Sequence, residues 1–397
     1  MTEHDFTQLP DLAGRLFGGS VVAANDEFFA ERENLIKPEA SAFQPYTFTH
    51  KGQLYDGWET RRRREPGRVE GGDWAVVRLG APGVVRGVIV DTAHFTGNYP
   101  EYCSIEACAA DGYPGPEELA GDGVEWVQLV PKTKLDGDTA NPFVVDDDRR
   151  FTHVRLSIYP DGGVARFRVH GEVVPDPRLL AGMPLDLAAL ENGGSVTDCS
   201  NMFYSSPANL LAPGLARVMG EGWETSRRRG PGNDWVTVRL AAPGYVRQAE
   251  LDTSHFKGNA PGWATLQGCD ARTASLDDAA AWFEMLPRTR LQPDTRHRFC
   301  LDAASSASSV SPATHVRLDV YPDGGMARLR LFGDLTPDGR AELVVRWFNA
   351  LPASQARDVL AEAGVDAAEA ERVVAARPVR EVAELPDPIR EALIDAH

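Results

Sequence analysis

The sequence predicts an all-β fold: a tandem pair of β-sandwich or jelly-roll domains followed by a small C-terminal helical extension. Two observations carry this prediction. One is a long internal repeat, and the other is period-two alternation of apolar and polar residues between Gly/Pro turns. Gly57-Trp58-Glu59-Thr60 followed by Arg61, Arg62, Arg63 and Arg64 returns as Gly222-Trp223-Glu224-Thr225 followed by Ser226, Arg227, Arg228 and Arg229. Asp91-Thr92-Ala93-His94-Phe95-Thr96-Gly97-Asn98 returns 161 positions later as Asp252-Thr253-Ser254-His255-Phe256-Lys257-Gly258-Asn259. The stretch 152–163 returns at 314–325 with an offset of 162, so the spacing barely drifts.

The elements follow in chain order. Residues 1–17 form an N-terminal segment, 18–175 the first repeat, 176–194 a linker, 195–336 the second repeat and 337–397 the helical tail. Within the first repeat, alternation marks strands at 74–79 and 84–90. Val154, Leu156 and Ile158 then alternate with Arg155, Ser157 and Tyr159. Pro160-Asp161-Gly162-Gly163 makes a turn, because Gly supplies positive φ and Pro presets the entry angle. Ala165, Phe167 and Val169 alternate with Arg166, Arg168 and His170, which predicts a hairpin with one apolar and one cationic face. Beyond Gly339 the texture turns to Ala, Glu, Arg, Val and Leu at helical spacing. Helices are expected at 353–363, 367–376 and 388–396, punctuated by Gly364, Pro378 and Pro386.

Composition narrows the function classes. A formal net charge of −17 argues against a nucleic-acid partner, since phosphate contacts need clustered cations in excess. No apolar run reaches the ~20 residues that cross a bilayer, and the first ten residues are acidic rather than signal-like, so no membrane partner is expected. Five cysteines, odd in number and without ligand spacing, predict neither a disulfide framework nor a zinc knuckle and favour a reducing cytoplasm. Serine-hydrolase elbows, phosphate loops and His-Glu-x-x-His are absent.

Two constellations can carry chemistry, and both occur twice. The Arg runs behind Trp-Glu-Thr can grip a carboxylate in bidentate fashion, although a solvated loop carries such runs too. The Asp-Thr-x-His motif sets a carboxylate near an imidazole at a strand end. That pair suits acid–base work, metal ligation, or simple loop stabilisation. His153 and His315, inside strand motifs, are expected to pack or bond locally. The copies differ at Asp26/Asn201, Glu27/Met202 and Tyr99/Ala260, which tilts the expected site toward the first repeat.

Together these motifs resemble the allantoicase family over residues 18–335. The resemblance rests on Asp26-Glu27-Phe28-Phe29-Ala30, Asp56-Gly57-Trp58-Glu59-Thr60-Arg61-Arg62, the 91–100 segment ending in Asn98-Tyr99-Pro100, and Tyr159-Pro160-Asp161-Gly162-Gly163. It implies two galactose-binding-like jelly rolls and conversion of allantoate and water into ureidoglycolate and urea. The chain departs from the family's Gly-His-Asp-Trp at Gly71-Gly72-Asp73-Trp74 and Gly232-Asn233-Asp234-Trp235. In the tail, Phe348-Asn349-Ala350-Leu351-Pro352 with Ala376-Arg377-Pro378 resembles the opening helices of OHCU decarboxylase, without that family's catalytic His-Pro-Arg segment. This resemblance implies an accessory role for the tail, such as an oligomer contact; the alternative is an unrelated Ala-rich helical cap.

The reaction that the resemblance implies needs a cation for the substrate carboxylate, expected from Arg61, Arg62, Arg227 or Arg228. It needs an acid and a base, expected from Asp91 with His94 and Asp252 with His255, while Glu59 and Glu224 orient an Arg or a ureido N–H. Asp26, Glu27, Asn98 and Tyr99 complete the expected substrate contacts. The sequence requires no cofactor, leaves a divalent metal open, and is expected to belong to a homo-oligomer. The competing readings are a carbohydrate- or anion-binding tandem sandwich without chemistry, and another ureidoglycolate-processing enzyme.

Overall fold

The computed structural model describes residues 6–64, 71–121, 123–180, 182–301 and 311–395. Ala396, the last residue of the final expected helix, lies outside the described residues. The chain forms two compact units, residues 1–174 with 350–352 and residues 175–349 with 353–397.

In the first unit the organising element is a 19-residue strand, Asp73–Asp91. Its first half pairs antiparallel with Ser20–Ala24 and with Arg150–Tyr159. Its second half pairs with Arg166–Val173 and Ala140–Val144. Tyr102–Cys108 and Val127–Lys134 extend the layer beyond Arg150–Tyr159. The register slips between Arg78 and Gly83, at Gly80-Ala81-Pro82-Gly83, where the strand passes from one face of the sandwich to the other. Val77, Val88, Val90, Ile105, Leu156, Ile158 and Phe167 fill the space between, each 0% exposed.

This arrangement corrects three expectations. The strands expected at 74–79 and 84–90 are one continuous strand, because the intervening Gly/Pro residues bend the chain without ending its pairing. The hairpin expected around Pro160-Asp161-Gly162-Gly163 does not form, since its two arms pair with opposite halves of Asp73–Asp91. Nor is the expected cationic face all solvent-facing. Arg166 is 1% exposed, and its guanidinium donates to the carbonyls of Glu39, Asp56 and Ala165 and to Asp56 Oδ2 at 2.7 Å. Arg328 is its buried counterpart in the second repeat, donating to the carbonyls of Asn209, Gly214, Glu221 and Ala327.

The second unit repeats the plan. Asp234–Asp252 pairs with Ser195–Cys199 and Ala313–Tyr321, then with Arg296–Cys300 and Arg328–Leu335. Leu185–Asp186 adds to the outer edge of Arg328–Leu335. The tail forms helices Pro337–Ala350, Ala353–Glu362, Ala367–Ala375 and Asp387–Arg390. The first of these was not among the expected helices. Pro337 and Gly339 look like breakers in sequence, yet Pro is well suited to a first helical position. The Thr336 hydroxyl also accepts from the Gly339 amide at 2.9 Å. The helix buries Leu343, Val344, Trp347 and Phe348. Asn349 exchanges hydrogen bonds of 2.8 and 2.9 Å with the backbone of Val379, bringing the two halves of the tail motif together.

His153 is 1% exposed, its Nδ1 sits 2.9 Å from the Thr152 hydroxyl, and burial with the nearby Arg78 charge pulls it from 6.5 to about 4. The unfolded chain therefore binds a proton that the folded chain refuses between these values. Stability associated with neutral His153 is full above pH 6.5 and is lost as pH falls toward 4. Urea denaturation of His153→Gln across this window should show a shallower acid-side decline than the parent.

Candidate active site

The candidate site grows from a two-residue ladder at one end of each sandwich. Trp58–Glu59 pairs with Gly163–Val164, and Trp223–Glu224 pairs with Gly325–Met326. The Trp58 indole is fully buried and donates to the Asp26 carbonyl at 2.8 Å, fixing where the following Arg run leaves the core. Gly57 is required here, since a Cβ would meet the Val164 carbonyl oxygen at 2.7 Å and the Phe95 ring at 2.8 Å. The Thr60 hydroxyl accepts from the Gly162 amide at 3.2 Å, tying the Arg run to the Pro-Asp-Gly-Gly turn.

Beside this ladder Glu59 Oε1 accepts from Asn98 Nδ2 at 2.8 Å, and Glu224 Oε1 accepts from Asn259 Nδ2 at 2.6 Å. Burial raises the Glu59 carboxyl above its ordinary range, and the Asn98 hydrogen bond and Arg62 charge offset only part of that. Asn259 was not among the expected site residues, although its place in the repeated octapeptide pointed to it.

The arginines divide by partner. Arg63 donates through Nε and Nη2 to Asp73 Oδ1 at 3.0 and 2.9 Å, and its amide donates to Asp161. Arg228 donates to Asp234 Oδ1 through Nη2 alone, and its amide donates to Asp323, so that expected carboxylate clamp is already engaged. Arg61 is held by Asp26 Oδ2 at 2.6 Å and lies over the Phe28 ring. Arg62 and Arg227 are exposed, and among the described residues neither makes a hydrogen bond or ion pair.

Asp91 and His94 do not come together as a pair. Asp91 Oδ1 accepts from the Ala93 amide at 2.8 Å, turning the chain at the strand end. His94 sits at φ 70, its amide donates to Asp138 Oδ1 at 2.7 Å, and its Nε2 lies 3.0 Å from the Ser41 carbonyl. Asp252 and His255 repeat every one of these contacts, with Ser254, Asp294 and Ala216 as partners. His94 additionally stacks on Phe43 with ring centroids 5.7 Å apart. The outcome of these bonds is a fixed loop that presents Asn98, and in the second repeat Asn259, to the glutamate.

The differences between repeats are compensated. Asp26 accepts from the Phe28 and Arg61 amides as well as the Arg61 guanidinium; partial burial raises its carboxyl, but these bonds outweigh it and hold it low. In the second repeat Asn201 accepts from the Phe203 and Ser226 amides, while its Nδ2 donates to the Ser226 hydroxyl. An ion pair in one copy is thus a neutral pair in the other. Glu27 is exposed and accepts from the Arg32 amide at 3.1 Å. Tyr99 is half-buried against Gly137, where an added Cβ would meet its ring at 2.4 Å. The first repeat also takes ten more residues than the second between Asn34/Asn209 and Gly57/Gly222. Those residues carry exposed Phe43, Tyr46 and Phe48. Among the described residues no group of three or more His, Cys, Asp or Glu converges as a metal site would require.

A known repeat family spans both copies of this arrangement. The allantoicase repeat matches residues 10–174 and again 185–336. The chain belongs to the allantoicase family. It is 58% identical over 330 residues to the probable allantoicase of Nocardia farcinica, covering 83% of this chain and 95% of that one. It is 53% identical over 348 residues to the probable allantoicase of Streptomyces coelicolor, covering 86% and 89% respectively. The crystal structure of allantoicase from Saccharomyces cerevisiae superposes with a TM-score of 0.70 at 34% identity, over 83% of this chain and 97% of that one. The family match ends at residue 336, before the helical tail.

The ion pair between Asp26 and Arg61 should be separable from the rest of the site. Asp26→Asn and Arg61→Ser should each cost stability, and the double variant, which copies the second repeat, should recover about 0.5–1 kcal/mol of the summed loss. A thermodynamic cycle by chemical denaturation measures the coupling, and strict additivity would remove the compensation argument.

Proposed function

We propose that the chain hydrolyses allantoate to ureidoglycolate and urea. Family membership across both repeats supports the substrate, and the Glu59–Asn98 pair beside unengaged Arg62 is the observation that carries the chemistry. Allantoate bears one carboxylate and two ureido groups on a single carbon. Arg62 holds the carboxylate, which orients the two ureido groups differently toward the protein. Glu59, made a weaker acid by burial, gives its proton to the nitrogen of the departing urea as the carbon–nitrogen bond breaks. The remaining ureido nitrogen donates its electron pair to that carbon. Water then adds there and returns a proton to Glu59, so the carboxyl ends as it began.

In this scheme Asn98 orients Glu59, and Asp26 with Arg61 fixes the base of the Arg run. Asp91, His94, Asp252 and His255 act as positioning residues of the loops that present the asparagines. Glu27 and Tyr99 border the site. Glu224, Asn259 and Arg227 form the corresponding set in the second repeat. We further read the protein as a cytoplasmic homo-oligomer with the tail as a non-catalytic accessory; the five free cysteines agree with a reducing compartment.

Urea release from allantoate tests the reading in one series. Glu59→Gln should lower kcat by about 10²–10⁴ with little change in KM, whereas Arg62→Ala should chiefly raise KM. Parental activity should fall as pH rises through the raised Glu59 value, because the acid must start protonated. Glu224→Gln and Arg227→Ala report how much the second repeat contributes. Full turnover in both glutamate variants would sink the scheme.

A further inference from the structure

The second repeat contains a cavity of about 550 Å³ that the first repeat has filled. In the first repeat, Phe6 is 0% exposed, stands 5.8 Å from the His170 ring by centroids, and lies so close to Gly87 that a Cβ there would meet its ring at 2.4 Å. The sequence offsets replace Gly87 by Gln248 and His170 by Phe332. Gln248 and Phe332 line the open space.

The walls changed chemistry as well. Leu16 of the first repeat corresponds to Glu191, Ile89 to Glu250, and Ala140 and Pro142 to Arg296 and Arg298. Four apolar positions have become two carboxylates and two guanidinium groups around one cavity, all four of which line it. Glu250, 4% exposed, is held by Arg296 at 2.8 Å and by Arg298 Nε at 2.8 Å. Among the described residues the terminal nitrogens of Arg298 make no further hydrogen bond, and the half-buried Gln248 amide makes none. Glu191 Oε2 is inaccessible to solvent and has no hydrogen-bond donor among the described residues, an expensive condition for a carboxylate oxygen. Phe332 and Leu215 supply apolar walls.

A cavity lined by an unanswered acceptor, an amide and available guanidinium nitrogens fits a ligand with N–H donors at one end and a carboxylate at the other. We propose that this cavity of the second repeat is a binding site for a small amido or ureido carboxylate, separate from the Glu59 and Glu224 clusters. The ligand carboxylate meets Arg298, its N–H groups meet the Glu191 carboxylate and the Gln248 carbonyl, and its carbon skeleton rests on Phe332. None of these residues belongs to either Trp-Glu-Thr ladder, so binding here is distinct from binding at the two glutamate clusters.

Hydantoate, which has one ureido group and a carboxylate but lacks the second ureido group, is the probe. Calorimetric titration of the full chain should show a binding event that weakens at least tenfold in Glu191→Leu and in Arg298→Ala. The same event should persist in Arg62→Ala and Arg227→Ala. Arg298 is largely exposed, so its variant tests the site even if the buried Glu191 replacement impairs folding. Hydantoate binding that is absent, that is unaltered in Arg298→Ala, or that is lost in the Arg62 or Arg227 variant overturns the proposal. The titration involves no turnover, so its result is independent of the allantoate reading.

Discussion

One strand in each repeat belongs to both layers of its sandwich, and the rest of the architecture hangs on it. Asp73–Asp91 and Asp234–Asp252 each pair with one set of strands, bend at a Gly/Pro step, and then pair with another. The bend closes the sandwich over a single core without a break in backbone hydrogen bonding, which matters because an unpaired buried amide or carbonyl is costly. Both ends of this strand are also put to use. Asp73 at the start binds Arg63, and Asp91 at the finish caps the loop that leads to His94 and Asn98. The candidate site therefore inherits its geometry from the most heavily paired element in the domain.

Most charges near the site are consumed in holding it together. Arg63, Arg166, Arg228 and Arg328 each answer carboxylates or carbonyls of their own repeat. A guanidinium suits this work because its fixed fork can satisfy several acceptors at once. In an acidic protein, exposed arginines of the two runs such as Arg62 and Arg227 remain for an anionic substrate, and Arg62 lies near a glutamate whose carboxyl burial keeps protonated to higher pH. Recurrence of a charged motif in both copies is thus mostly a record of structural need.

Divergence between the copies takes two forms. Asp26/Arg61 against Asn201/Ser226 exchanges one bonded pair for another and leaves the local backbone bonds intact. The exchange of Leu16, Ile89, Ala140 and Pro142 for charged residues is different in kind. It lines a cavity with groups whose hydrogen bonds are not all met among the described residues. Compensated change preserves a fold, whereas uncompensated polar change in a cavity costs stability and implies a ligand.

The sequence alone determined the duplication, the β character and the family motifs, because strand alternation and Gly/Pro turns are local and a repeated octapeptide needs no coordinates to be seen. It also singled out the loops that carry Glu59, Arg62 and Asn98. What it could not determine was partnership. Asp91 and His94 are three apart yet serve different backbone groups, while Glu59 and Asn98 are far apart in sequence and share a hydrogen bond. Arg61, Arg62 and Arg63 read identically in a row, and only their partners make one an ion pair, one available and one structural. Likewise Arg166 alternates as a surface residue would, but the loop that crosses its strand buries it. Tertiary structure decided these points because burial and hydrogen-bond partners are set by chain segments distant in sequence, and local periodicity carries no information about them.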